Sequence, residues 1–377
     1  MSVPHLFRPF SLRGVTFKNR IVVSPMCQYQ AVDGVAGAWH FAHHARFAFG
    51  GVGGAVIEAT GVVAEGRITP GCLGLWNDGQ IEPLARIAAI YHAEGGPVGI
   101  QLAHAGRKAS SAAPWDGAGP LAAADPAAWR PEAPSAIAYG PDWPVPHELT
   151  AAEVDGLVAA FAAAAGRAVR AGLDFVEIHG AHGYLVHAFQ AAVSNTRTDA
   201  WGGSPEKRMR FPLAVAEAVR AAVPDDMPVL YRASAVDSAA GGVSLDDTVA
   251  LARALKACGV DLVDCSSGGI LGPSASSVGA PGLGFQVPYA AAVRAGAEIP
   301  TMAVGLIVSA AQAEAVVADG SADLVALGRE LLADSNFPYR AARELGLERP
   351  FEVLPRPYAF YLARRERQLA AAAAPSA

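Results

Sequence analysis

Two imidazoles and a phenol stand close together in His179-Gly-Ala-His182-Gly-Tyr184, directly after the apolar run Phe175-Val-Glu-Ile178. A buried strand running into a turn puts these side chains at a strand's C-terminal end, where they serve packing poorly and chemistry well. The glycines at 180 and 183 are expected to loosen the turn. Three roles are open to such a set: metal ligation, hydrogen bonding and proton transfer to a substrate, or a mutually satisfied structural pair. Metal sites usually add a carboxylate or a third ligand, and the chain has no H-E-x-x-H helix to supply one.

Groups of this kind need a scaffold, and strand-like runs alternate with amphipathic stretches along the whole chain. The strand-like runs are residues 20–25, 54–59, 97–102, 175–178, 228–232, 261–266, 300–305 and 323–328. The stretches between them open on helix-start signals such as the capping box Thr150-Ala-Ala-Glu153 and the Ser204-Pro205 pair. Continuous apolar strands separated by helices imply a parallel sheet covered on its outer face. The spacing predicts a (β/α)8 TIM barrel in one domain over residues 1–368, with a doubly wound sheet as the alternative. After the third strand, residues 110–147 break the pattern with Pro, Gly and Ala and with Trp115, Trp129 and Trp143. That insertion reads either as a lid or as a surface excursion anchored by its tryptophans. The Ala-rich stretch 369–377 reads as a disordered tail.

Composition narrows the functional classes. The 377 residues are 52% hydrophobic and 17% charged, which describes a well-cored globular protein. The net charge of −6, with no basic block, argues against a nucleic-acid partner. Apolar runs are too short to span a bilayer and no export signal opens the chain, so a cytoplasmic, membrane-free setting is expected. Cys27, Cys72, Cys258 and Cys265 follow neither a disulfide framework nor CxxC zinc spacing.

In a (β/α)8 barrel the active site is expected where the strands end. The residues there are Ser24, Pro25, Met26, Cys27, Tyr29, Ala59, Thr60, Gln101, His104, the 179–184 cluster, Arg232, Ser266, Val304, Gly305, Gly328 and Arg329. Gly305 and Gly328-Arg329 follow strands seven and eight, where barrels often hold a phosphate on backbone N–H groups. Arg329 can add a bidentate bond to it. Gly50-Gly-Val-Gly-Gly54 lacks the G-x-G-x-x-G form. A nicotinamide would therefore visit as a substrate rather than reside in a Rossmann domain.

Longer motifs point further. They begin with Phe17-Lys-Asn-Arg-Ile21, Ser24-Pro-Met-Cys-Gln-Tyr29, Glu65-Gly-Arg-Ile-Thr69 and Gln101-Leu-Ala-His-Ala-Gly-Arg-Lys108. They continue with Ala133-Pro-Ser-Ala136, residues 179–185, Ser194-Asn-Thr-Arg-Thr-Asp199, Gly202-Gly-Ser-Pro-Glu-Lys-Arg208 and Gly328-Arg-Glu-Leu-Leu332. Over residues 5–362 the chain resembles the Old Yellow Enzyme flavoprotein reductases, in particular the thermophilic-like ene-reductase and xenobiotic reductase class.

The resemblance implies a barrel holding non-covalent FMN, reduced by NADPH or NADH. It implies reduction of the activated C=C bond of α,β-unsaturated carbonyl or nitro compounds, and of nitro or nitrate ester xenobiotics, by a ping-pong mechanism. By motif position, Ser24, Pro25, Met26 and Cys27 would line the flavin, with Cys27 tuning its potential. Ala59 and Gln101 would meet the ring edge, and Arg232 would lie near N1 and O2. Gly305, Leu306, Gly328 and Arg329 would take the phosphate. His179 and His182 would bind the substrate oxygen, Tyr184 would protonate the α-carbon, and Tyr29 would add a phenol to the substrate site.

The chain departs from that pattern at two places. Val304 stands where some xenobiotic reductases have a tryptophan, which should leave more room at the substrate. The stretch Arg356-Pro-Tyr-Ala-Phe-Tyr361 corresponds to one that completes a neighbouring subunit's site, with Tyr361 standing for the usual tryptophan. A homodimer or homotetramer is the implied assembly. Two other readings remain: a flavin-free barrel lyase or isomerase using His179 and His182 as acid and base, or a non-catalytic flavin-binding sensor.

Overall fold

A strand covered by helices on one side and by its own barrel interior on the other must be buried on both faces. In the computed structural model, which describes residues 3–272 and 281–373, eight segments meet that condition. They are β1 (Ile21–Val23), β2 (Gly54–Gly61), β3 (Val98–Ala103), β4 (Phe175–Gly180), β5 (Val229–Ser234), β6 (Leu262–Ser266), β7 (Thr301–Ala303) and β8 (Leu324–Leu327). Each pairs in parallel with its sequence neighbours, and β8 pairs with β1 to close the barrel. Closure excludes the doubly wound alternative.

The crossovers carry the helices α1 (Ala38–Phe49), α2 (Ile81–Ala93), α3 (Ala151–Arg170), α4 (Arg210–Ala222), α5 (Leu245–Ala257), α6 (Val287–Ala297), α7 (Ala310–Ala318) and α8 (Phe337–Glu344). The predicted capping box is formed: Thr150 accepts from the Glu153 N–H, while Glu153 accepts from the Thr150 N–H. Outward-facing strand residues such as Val176 and Ile178 pack with Phe161, Phe211 and Phe337 of the helices in the main core.

Inside the barrel a second apolar cluster joins Val22, Val56, Phe175, Leu230, Leu262, Met302 and Leu324 to Leu12 and Phe17. Leu12 and Phe17 belong to an antiparallel hairpin, Phe10–Leu12 with Val15–Phe17, that plugs the barrel floor. Its strands are three residues each, too short to stand out by periodicity, and the sequence reading does not find them.

Two other expectations need correction. The tail predicted to be disordered from residue 369 continues a C-terminal helix, α9 (Arg356–Ala373). Alanine has the highest intrinsic helix propensity, so an Ala run following a helix extends it. Residues 374–377 lie outside the described residues. Strand seven is also shorter than expected, because Gly305 (φ +114°) and Leu306 (φ +52°) turn the chain out of the sheet.

The insertion after β3 holds few regular elements, among them a short parallel pair, Glu132–Ala133 with His147–Glu148. Its tryptophans do different things. Trp129 Nε1 donates to the Glu65 carbonyl (2.8 Å), and the Arg67 guanidinium lies over its ring. Trp143 meets Tyr139 edge-on at 5.0 Å. Trp115 is 63% exposed and meets Tyr29 edge-on at 5.6 Å. Among the described residues no helix is long and apolar enough to cross a membrane.

Candidate active site

Alternation along β4 places Phe175, Glu177 and His179 on the barrel axis, with Val176 and Ile178 facing the helices. The same step of two gives Leu230, Arg232 and Ser234 on β5, and Leu262, Asp264 and Ser266 on β6. The interior is therefore layered: an apolar floor, a charged tier of Glu177, Arg232 and Asp264, and a polar mouth of His179, Ser234 and Ser266.

The turn above β4 is rigid. His182 (φ +61°) and Gly183 (φ +76°) both adopt the left-handed conformation. A Cβ on Gly183 would lie 2.0 Å from the Gly269 carbonyl oxygen, and one on Gly180 would lie 2.0 Å from the Tyr231 hydroxyl. These glycines permit close packing, which corrects the expectation that they loosen the turn. The Lys108 ammonium donates to the carbonyls of His182 (2.9 Å) and Gly269 (3.4 Å), and the His182 N–H donates to Ser234 Oγ (2.9 Å).

The three rings form one cluster. His179 lies 5.1 Å from His182 and 4.9 Å from Tyr184, edge-on in both cases. Burial, followed by the nearby Arg232 charge, holds both imidazoles well below their ordinary pKa, so they are neutral near pH 7. The Ala181 N–H donates to His179 Nδ1 (3.2 Å), so that nitrogen is the acceptor and the ring proton sits on Nε2. His182 Nε2 lies 2.7 Å from Ser266 Oγ. Burial pushes the Tyr184 phenol well above its ordinary value, so it keeps its proton.

On the opposite wall, burial also raises the Cys27 thiol, with Cys72 and Glu58 adding to the effect. The Ala59 N–H and the Tyr29 hydroxyl partly offset that shift, which places Cys27, Ala59 and Tyr29 together. Glu58 supports this loop from below by accepting the Gln28 N–H (2.9 Å). Burial raises its carboxyl to about 8.

A cavity of about 200 Å³ adjoins these groups, lined by Ser24, Met26, Arg232, Ser266, Gln286, Val304, Gly305, Leu306, Gly328 and Arg329. Pro25 lies in the chain between two of its lining residues. In the tier beneath, Arg232 Nη1 donates to Ser24 Oγ (3.2 Å) and lies 3.1 Å from Asp264 Oδ2. Gln101 Nε2 donates to Glu177 Oε1 (2.7 Å). Arg232 Nε, Glu177 Oε2 and both Asp264 carboxylate oxygens have no hydrogen-bond partner among the described residues.

A buried cation with an unpaired N–H, an amide with free capacity and a glycine-turned wall fit a flavin: a polar ring edge, an apolar ring face and a phosphate. A Cβ on Gly305 would stand 3.1 Å from the Gln286 side chain, in a backbone conformation that favours glycine. His104 stands apart from this site. Its Nδ1 accepts the Gly106 N–H (3.0 Å) and its Nε2 meets Glu132 Oε2 (3.1 Å), tying the insertion to the barrel. Among the described residues no group of three His, Cys, Asp or Glu could hold a metal ion. All four cysteines are free.

The model of the NADH:flavin oxidoreductase / NADH oxidase family matches residues 5–348. The chain belongs to this family, that of Old Yellow Enzyme. It is 45% identical to an NADPH dehydrogenase of Geobacillus thermodenitrificans over 345 residues, covering 91% of this chain and 95% of the relative. An NADH:flavin oxidoreductase of Gibberella zeae is 43% identical, covering 91% and 86%. Among solved structures, morphinone reductase in complex with tetrahydroNAD superimposes with a TM-score of 0.75 at 26% identity, covering 92% of each chain. As an Old Yellow Enzyme family member the protein is an oxidoreductase whose cofactor is FMN and whose reductant is a nicotinamide nucleotide.

Of the positions taken from motifs, Ser24, Met26, Arg232, Gly305, Leu306, Gly328 and Arg329 line one cavity. His179, His182 and Tyr184 form one ring cluster. Sequence reasoning missed Glu177, Asp264 and Lys108. The first two were visible as lone acids at inward positions of apolar strands, a signal that the reading of those runs as uniformly apolar passed over.

Proposed function

We propose that the protein is an ene-reductase, reducing the activated C=C bond of α,β-unsaturated carbonyl or nitro compounds, with nitro and nitrate ester xenobiotics as further substrates. NADPH or NADH reduces it first and leaves before the alkene binds, a ping-pong order. Bound FMN supplies the hydride carrier. Ser24, Pro25, Met26, Cys27, Ala59 and Gln101 would hold its ring, Arg232 would stabilise the negative charge that the reduced ring gains, and Gly305, Leu306, Gly328 and Arg329 would hold its phosphate.

The observation that carries the reading is the His179 ring. Its Nδ1 is occupied by a backbone N–H, which leaves Nε2–H as a donor beside His182 and Tyr184. A neutral donor held by backbone can stabilise charge developing on a carbonyl or nitro oxygen without a cost of reorientation. His182 adds a second bond to that oxygen. Tyr184, which keeps its proton at neutral pH, delivers it to the α-carbon. Tyr29 bounds the substrate, and its edge-on contact with Trp115 supports reading residues 110–147 as a lid.

On α9, Tyr358, Phe360 and Tyr361 are 49%, 62% and 68% exposed. These aromatic residues support a homodimer or homotetramer in which the C-terminal helix lies near a neighbouring site, with Tyr361 toward it. A cytoplasmic location accords with the free cysteines.

The test is direct. Purified protein should be yellow, lose its flavin absorbance anaerobically with NADPH, and regain it when cyclohexenone is added. A colourless protein that takes up no FMN overturns the reading, as does a reduced protein that no enone, nitroalkene or nitrate ester reoxidises.

A further inference from the structure

The charged tier beneath the flavin site contains one more acid than its cation can balance. Asp264 Oδ2 lies 3.1 Å from Arg232 Nη1, so that carboxylate and the guanidinium offset each other. Glu177, fully buried, forms no ion pair of its own among the described residues. One of its oxygens accepts from Gln101 Nε2, and the other has no hydrogen bond among the described residues. The titratable and charged groups facing it are Asp264 from β6 and Arg232 from β5. Strand β3 contributes the uncharged Gln101. On its own strand His179, two residues on toward the mouth, has Nδ1 turned to the backbone. A buried acid without a cation of its own is tolerated where it can become neutral.

We propose that Glu177 is a positioning and proton-accepting residue of the flavin site, orienting the Gln101 amide and taking up a proton when the bound flavin is reduced. The proposal rests on FMN binding above this tier. One Gln101 N–H points to Glu177, which orients the amide and leaves its oxygen and second N–H for the ligand. Hydride transfer from the nicotinamide gives the flavin two electrons and one proton and leaves one added negative charge near Arg232. The nicotinamide is oxidised and the flavin reduced. The carboxylate without a partner then gains a solvent proton, Glu177–COO⁻ becoming Glu177–COOH, and the net charge of tier and flavin is unchanged.

The effect has a defined pH range. Burial, with Asp264 adding to it, raises Glu177 to about 8. Below that pH the carboxyl already holds its proton and reduction draws none to it. Above it, reduction draws one from solvent.

The experiment is a spectroelectrochemical titration of the FMN-loaded protein from about pH 6.5 to about 9.5. Each proton taken up with the electron pair changes the equilibrium constant tenfold per pH unit, about 30 mV for a two-electron couple. The wild type should fall by that amount per unit at low pH and by about twice it, a hundredfold per unit, above the break. Glu177→Gln should keep the single-proton slope throughout. Asp264→Asn, which removes the like charge, should move the break to lower pH. A wild-type slope that never steepens overturns the proposal without any variant. So does a slope that steepens equally in Glu177→Gln, which would assign the uptake elsewhere, for example to Lys108, held at about 8 by burial. A chain that takes up no FMN removes this proposal together with the ene-reductase reading, whereas a flavin-loaded chain without the break removes this one alone.

Discussion

Nε2 of His182 and Oγ of Ser266 lie 2.7 Å apart, tying a ring on the turn after β4 to a side chain at the end of β6. Gln286 Nε2 donates to the same oxygen at 3.2 Å, so the serine is held from both sides. Ser266→Ala releases the ring. The loss of one hydrogen bond is worth about 1 kcal/mol. The second-order rate of enone reduction, followed by stopped flow, should therefore fall roughly fivefold to tenfold with little change in thermal stability. An unchanged rate would mean that the Ser266 contact does not orient His182.

Tyr184→Phe removes a proton donor and keeps the ring that packs against His179. Flavin reduction by NADPH should proceed near the wild-type rate, while reoxidation by an enone slows by about 10² or more. Rapid mixing resolves the two half-reactions, and equal losses in both would withdraw the acid role.

Gly183→Ala tests the rigidity of the turn. The new methyl group would collide with the Gly269 carbonyl oxygen at 2.0 Å, in a backbone conformation with φ at +76°. A loss of about 2–4 kcal/mol in unfolding free energy is expected from clash and strain together. A variant as stable as wild type would show that the turn yields easily.

Glu58 gives a pH prediction of definite sign. Its folded pKa, raised to about 8, lies above its unfolded value near 4.5. Between those values the native state holds a proton that the unfolded chain does not, so stability falls as pH rises, by at most about 1.4 kcal/mol per unit. Glu58→Gln should flatten the decline in melting temperature from about pH 5 to 8. Parallel profiles for the two proteins would mean that Glu58 is ionised throughout.

Trp115 is mostly exposed and touches Tyr29, so its loss should cost little stability. Trp115→Ala is expected to alter KM for bulky alkenes severalfold while leaving flavin reduction unchanged, which steady-state kinetics across an enone series would reveal. A flat response across the series would reduce residues 110–147 to a surface excursion.

Much of the scaffold was legible because its signals are local. Apolar runs bounded by caps gave the strands and helices, and the glycines after strands seven and eight marked the cavity wall. The floor hairpin was not legible, since three-residue strands carry no period. Nor was the stiffness of the 180–183 turn, because the neighbours that confine those glycines, Tyr231 and Gly269, are distant in sequence. Glu177 and Asp264 became meaningful only when barrel closure set them around Arg232, a relationship between three strands that no single run contains.

The Leu12 and Phe17 plug gives the barrel a blind end. Everything that reaches the rings of His179 and Tyr184 must enter and leave by one door. Two reactants that cannot pass that door together would have to queue, and a spent nicotinamide that lingered would block the substrate that follows it. Traffic through a cul-de-sac, as much as chemistry at its head, would then limit how fast the protein can turn over.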